Sequence, residues 1–314
     1  MNTLRQAVAE YLDLRRSLGF KLHDAGKSLL DFVTYMEQHR APYITQALAL
    51  AWAQQPFGVQ PAHWAKRLSF VREFARHRSA TDSRTQIPAQ GLLPFQPKRV
   101  RPYLYSDDEI RNLLRAALQM RCRYERSALR PRTFYCLLGL LSVSGMRVGE
   151  VRNLEVRDVD LTTGVLTIRG TKFGKSRLVP LHDSTRKVLA DYIERRNRHW
   201  TGRPVSSYLF VSNRGNRLDG AEVRRTFYAL SRQVGLRGVS DDHGPRLHDM
   251  RHTFATNTLV LWYRSEQDPG RRLPILSAYL GHVNVADTQW YLSGSPELMH
   301  EAMRRLERRW EKRP

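Results

Sequence analysis

Residues 248–256 read H-D-M-R-H-T-F-A-T, and downstream come L-G-H at 280–282 and T-Q-W-Y at 288–291. Arg251 follows His248 by three positions, so both project from one face of a helix. Phe254, Leu259 and Leu261 lie near them as expected core residues, and an unpaired arginine in such company is costly unless an anion meets it. Working outward, S-G-M-R-V-G-E at 144–150 sets Arg147 just after a helix-ending glycine. T-K-F-G-K-S-R-L-V-P-L at 171–181 sets Lys172 on a hairpin turn. The ordered set is therefore Arg147, Lys172, His248, Arg251, His282 and Tyr291. A guanidinium offers a planar fork that matches two phosphate oxygens. Imidazole can change roles near neutral pH. A phenol, with a pKa of about 10, must lose its proton as it attacks and so needs cationic neighbours. These residue types together describe a phosphoryl-transfer site.

In this order and context the motifs resemble the tyrosine recombinase (phage integrase) family over roughly residues 105–295, closest to the integrases and transposases of mobile elements. The resemblance implies a mainly α fold with a small β-sheet: an all-helical N-terminal DNA-binding domain followed by an α+β catalytic domain. It implies Tyr291 as nucleophile, Arg147 and Arg251 as clamps on the non-bridging oxygens, and His248 as general base. His282 falls where the family uses more than one residue type. Lys172 becomes the acid that protonates the leaving 5′ oxygen, with Lys175 as its rival or as a backbone contact. The implied reaction is site-specific DNA recombination through a 3′-phosphotyrosyl link, with no metal and no cofactor. The implied partners are double-stranded DNA with inverted half-sites and further copies of the chain, a dimer per site and a tetramer in synapsis, with accessory proteins possible. A type IB topoisomerase, or a catalytically idle DNA-binding accessory protein, stands as the alternative.

His248 and His252 also form H-x-x-x-H, the spacing of two zinc ligands. Asp249, not glutamate, follows His248, so the zinc-protease pattern fails. His252 then reads as a hydrogen-bonded residue, either of the core or supporting the catalytic groups from behind.

The formal charge of +22 extends along the chain. Residues 1–100 hold fourteen basic residues against seven acidic ones, and residues 101–314 hold 38 against 23. Each Lys or Arg set against a phosphate releases a condensed counterion, so polyanion binding is the natural reading of this excess. With 41% hydrophobic residues the chain can bury real cores. Only Cys122 and Cys136 occur, both in stretches that read as helical, which suits a reducing cytoplasm better than a disulfide framework. No apolar run is long enough to span a membrane.

Helical spacing at 2–18, 26–38, 45–54 and 61–77 predicts the first domain over 1–95. Trp64, Leu68, Val71 and Phe74 form its inward face, while Lys66, Arg67, Arg76 and Arg78 make a basic surface, with Lys66 and Arg67 as DNA contacts. Residues 96–105 read as a linker, because Pro97 and Pro102 interrupt any helix; Lys98, Arg99 and Arg101 suit it to a phosphate backbone. Ser106-Asp-Asp-Glu109 is a capping box opening the catalytic domain, 106–314. There 132–146 and 151–159 read as helices, and 165–168 and 177–181 as paired strands with Gly174 in the turn. Helices follow at 184–197, 219–233, 247–262, 274–280 and 284–292, with an extended loop before 274 carrying Arg264, Arg271 and Arg272. Last, 296–312 reads as an amphipathic helix with Leu298, Met299, Ala302, Met303, Leu306 and Trp310 on one stripe. The resemblance implies that it docks on a neighbouring protomer; packing on its own domain is the alternative.

Overall fold

The computed structural model describes residues 3–95, 101–170, 176–241, 243–265, 267–293 and 295–311. The chain divides into two compact units, Met1–Val100 and Arg101–Pro314. Lys98, Arg99, Lys172, Gly174 and Lys175 lie outside the described residues.

The first unit is helical: α1 Leu4–Ser17, α2 His23–Gln38, α3 Gln46–Gln54 and α4 Pro61–Arg78. Thr3 and Thr45 cap α1 and α3 by accepting from the backbone N–H of Gln6 and Leu48, and Pro61 opens α4 at a position that needs no N–H donor. Leu12, Leu29, Phe32, Trp52, Leu68, Val71 and Phe74 close the core. Trp64 is only half-buried, since its indole N–H reaches the Pro56 carbonyl at 2.8 Å. Lys66 is exposed, with Asp24 at 3.4 Å. Arg67 departs from the expected DNA-facing role. Its guanidinium lies over the Trp52 ring at 3.9 Å, bonds Asp31 at 3.1 Å and the Trp52 carbonyl at 3.2 Å, and is nearly shut from solvent. Packing holds the guanidinium against Trp52 and Asp31, with Nε buried and without a hydrogen-bond partner.

In the second unit, α5 (Asp107–Leu118) begins with the expected box: Ser106 accepts from the Glu109 N–H, and Glu109 accepts from the Ser106 N–H. Next come α6 (Arg130–Ser144) and α7 (Val148–Asn153), and then a sheet of β1 (Val159–Asp160), β2 (Val165–Ile168) and β3 (Arg177–Pro180). The strands run antiparallel in the order β1-β2-β3, with Leu166 opposite Val179 and Ile168 opposite Arg177. After the sheet come α8 (Asp183–His199), α9 (Gly220–Gln233), α10 (Asp249–Arg264), α11 (Pro269–Leu280), α12 (Ala286–Gln289), a 3₁₀ turn (Trp290–Ser293) and α13 (Pro296–Glu311). One apolar core joins α5, α6, α8, α9 and the sheet; a second gathers α10, α11, Tyr291 and Leu298.

Four expectations change. The helical rhythm at 151–159 stops at Asn153, because the Asp158 carboxylate accepts from the Glu155 N–H and sets a single 3₁₀ turn that leads into β1. The loop expected before 274 is helical: Arg264 ends α10, and Asp268 caps α11 through the Gly270 N–H at 2.9 Å, with Pro269 at its first position. Cys122 lies outside any helix and is exposed. Leu261, expected near the buried arginine, is 62% exposed on the outer face of α10. No helix among the described residues is long and apolar enough to cross a membrane.

Candidate active site

Arg147 is placed by a glycine. Gly145 ends α6 at φ +59°, where a Cβ would run into the Phe254 ring, so the chain can turn there only without a side chain. Arg147 then caps α7. Its backbone N–H donates to Glu150 Oε2 at 2.8 Å, and its Nη1 donates to Oε1 at 2.9 Å. The pairing of Arg147 with Glu150 leaves the guanidinium facing outward, with a third of its side-chain surface open.

Arg251 comes to the same place from the other side. It is 1% exposed on α10, donating Nη1 to the Gly145 carbonyl at 2.8 Å and Nη2 to the Leu280 carbonyl at 2.6 Å. The anion anticipated for an otherwise unpaired arginine is thus not needed to keep it buried. Burial, then the cation Arg147, lowers its pKa to about 10, and the Tyr291 phenol, hydrogen-bonded to it, acts in the opposite direction. It stays charged at neutral pH. Arg147 Nη2 reaches the next carbonyl, Gly281, at 3.1 Å. Two guanidinium groups therefore converge on one turn, Leu280–Gly281, immediately before His282.

His282 points the same way. Its Nδ1 lies 2.7 Å from the hydroxyl of fully buried Thr288, and its ring lies nearly parallel to that of Tyr291, with centroids 6.0 Å apart. Burial, then Arg251 and Arg147, pushes its pKa down to about 4, so it is neutral at pH 7. Tyr291, 4% exposed, sits in the 3₁₀ turn against α10, between the rings of His282 and His252, the latter at 5.3 Å. His248, at the start of α10, is exposed; the surrounding protein and then Arg251 lower its pKa. Its ring meets His252 edge-on at 4.9 Å. The N-terminal end of α10 is itself held by Tyr105, whose N–H bonds Thr253 and whose hydroxyl bonds the Arg246 carbonyl, each at 3.0 Å.

Five of the six expected residues thus meet on one side of the catalytic unit: Arg147, His248, Arg251, His282 and Tyr291. Lys172 lies outside the described residues. Among the described residues no cluster of three or more histidine, cysteine, aspartate or glutamate side chains stands where it could hold a metal ion. His252 Nδ1 is buried with no hydrogen-bond partner, and the ring packs against Trp290 at 5.1 Å.

The phage integrase family model matches residues 105–297. The chain belongs to the phage integrase family. This tyrosine recombinase is 66% identical, over the full length of both chains, to y4rB of Sinorhizobium fredii, a protein whose own assignment as an integrase/recombinase is inferred. It is 29% identical to the tyrosine recombinase XerC of Pelobacter propionicus, over 79% of this chain and 74% of that one. Its fold is that of the Tn1549 transposon integrase solved with transposon right-end DNA: TM-score 0.65 at 17% identity, covering 98% of this chain and 99% of that one.

Two residues of this recombinase's site were not singled out as functional in the sequence. Glu150 entered only as the last letter of the 144–150 motif, and Arg177 only as a letter in the strand motif. Arg177 grips Glu150 with both ends of its guanidinium, at 3.0 and 2.7 Å, and its Nε donates to the Tyr279 carbonyl at 2.7 Å. Burial opposes the Glu150 charge, but the bonds from Arg177 and then Arg147 hold its pKa at about 2. The four-residue beat from Arg147 to Glu150 hinted at a cap; nothing local pointed to Arg177.

Proposed function

We propose that this tyrosine recombinase cuts and rejoins DNA at specific sites, with Tyr291 as the attacking group. One observation carries the reading: two guanidinium groups on separate elements converge on the turn beside the Tyr291 phenol. Arg147 and Arg251 supply paired, always-charged donors for the two non-bridging oxygens of a phosphodiester, the arrangement that best stabilises a charged transition state. Tyr291 Oη attacks phosphorus, forming a 3′-phosphotyrosyl bond as the bond to the 5′ oxygen breaks. The phenolic proton passes to His248, whose lowered pKa keeps it in the accepting form at neutral pH. Lys172 returns a proton to the leaving 5′ oxygen, with Lys175 against the backbone. A free 5′ hydroxyl from a partner duplex then attacks the phosphotyrosine, so bond energy is conserved. Lys66 and Arg101, together with Lys98 and Arg99, provide backbone contacts to double-stranded DNA.

The test is a nicked suicide duplex cut from the flanks of the gene. A covalent, protease-sensitive adduct should form, and should form equally fast in excess EDTA, because the two arginines supply the charge that a metal would. No adduct under any condition defeats the reading. Loss of the adduct in EDTA, with restoration by magnesium or zinc, replaces the mechanism.

The partners include further copies of this chain. Helix α13 packs on α10 of its own domain through Leu298 and the bonds of Arg264 to Glu301 and Glu297, at 3.0 and 2.8 Å. Met299, Met303, Leu306 and Trp310 remain exposed, at 49 to 67%. That uncovered stripe supports docking on a neighbour, with two protomers on inverted half-sites and four in synapsis. Deleting 296–314 should leave binding to one half-site within about threefold and lower cooperative binding to a pair of half-sites by about tenfold or more, a loss of ~1.4 kcal/mol in coupling. A truncated protein that pairs as cooperatively as the full chain overturns the docking.

A further inference from the structure

Glu150 poses a problem for the chemistry proposed above. It is needed where it is, since it caps α7 and fixes both the backbone and the guanidinium of Arg147. Yet a buried carboxylate against a phosphate-binding arginine cancels the charge that arginine is there to deliver. The two side chains lie 2.9 Å apart, and the carboxylate is 11% exposed, where little water screens it.

Arg177 resolves the conflict. Its fork spans both carboxylate oxygens, while Arg147 Nη1 shares only Oε1. Arg177 is as enclosed as Glu150, whereas Arg147 is the more open of the three, at 37% of its side-chain surface. Three charges sum to one positive charge. The enclosed arginine pairs with the enclosed carboxylate, and the remaining charge stands on the arginine that faces outward. Arg177 is also fixed at its other end by the Tyr279 carbonyl, and Gly281 leaves room for it: a Cβ there would fall 2.9 Å from Nη1. Its position is set by the fold and not by arriving DNA.

We propose that Arg177 is a charge-balancing positioning residue, which neutralises Glu150 so that Arg147 presents an uncompensated cation to the scissile phosphate. Without it, Glu150 turns wholly to Arg147 and masks it. A merely structural Arg177 would be replaceable only by residues that fill its space, whereas a charge-balancing one is replaceable by any pair of changes that restores the balance.

The experiment uses the full chain and the same suicide duplex, reading the single-turnover rate of adduct formation separately from DNA affinity. Arg177→Met should slow the adduct by about 10²-fold, the scale of a lost oxyanion donor, with affinity within about threefold. Arg177→Lys keeps the charge and loses the fork, and should stay within about tenfold of the wild type. Adding Glu150→Gln to Arg177→Met removes the masking charge and leaves an acceptor for Arg147, and should recover at least about tenfold of the lost rate, the reversed sign that a coupled pair produces. Arg177→Met cutting at nearly the wild-type rate overturns the proposal. So does a double variant no faster than the single one, or Arg177→Lys slowed by 10² or more. Should Arg177→Met not fold, Arg177→Lys decides it alone. The inference rests on Arg147 acting on phosphate. A wild-type protein that forms no adduct sinks that reading, while an active wild type indifferent to these changes sinks only this one.

Discussion

Tyr291→Phe should bind half-site DNA as tightly as the wild type and form no covalent adduct. The substitution deletes one oxygen from a ring that is 4% exposed and packed beside His282 and His252, so the packing that seats the 3₁₀ turn survives. What is lost is the attacking atom and one acceptor for Arg251, which keeps its bonds to the Gly145 and Leu280 carbonyls. Stability should therefore change by no more than about 1 kcal/mol, the scale of one hydrogen bond. The measurement is a denaturing gel of protein and labelled suicide duplex, beside a binding curve. An adduct formed by Tyr291→Phe at the wild-type level would mean that another tyrosine attacks. Tyr279 is then the first to test, since it lies half-buried on α11, one residue before Leu280.

Arg251→Lys should be the more damaging of the two arginine changes, because Arg251 serves both structure and reaction. As a donor to the transition state, its loss should slow adduct formation by roughly 10²–10³, or about 3–4 kcal/mol. Lysine keeps the charge but cannot span two carbonyls and a phenol with a planar fork. One of the Gly145 and Leu280 carbonyls is then left buried without its donor, at a cost of about 2 kcal/mol. The unfolding midpoint should fall by roughly 4–8 °C for a unit of this size. Arg147→Lys, at the more open position, should show the rate loss with a smaller thermal shift. Equal thermal shifts for the two variants would show that burial does not separate their roles, and a near wild-type rate for either would remove it as a clamp.

Much of this protein was legible in the chain itself where cause and effect lie within a few residues. The capping box at Ser106 and Glu109, the strands read at 165–168 and 177–181, of which the second ends at Pro180, and the ordering of His248, Arg251, His282 and Tyr291 all follow from short-range rules. These are a side chain satisfying a nearby N–H, alternation along a strand, and residue types suited to one reaction. The segment before residue 274 misread because an internal proline and several arginines look like a loop, while the Asp268 cap and the buried Leu273 and Leu276 make it a helix.

Charge pairing was decided only in three dimensions. The chain carries 52 lysines and arginines, and nothing in their spacing separates those spent on the fold from those available to DNA. Arg67 looked free and is held by Trp52 and Asp31; Arg177 looked incidental and grips Glu150, 27 positions away; Arg251 looked in need of an anion and is held by carbonyls 106 and 29 positions away. The physical reason is that a guanidinium's partner is whatever acceptor the packing of distant elements brings within about 3 Å. The sequence by itself determined which chemistry the chain is equipped for, and the tertiary structure alone decided which cations remain to perform it.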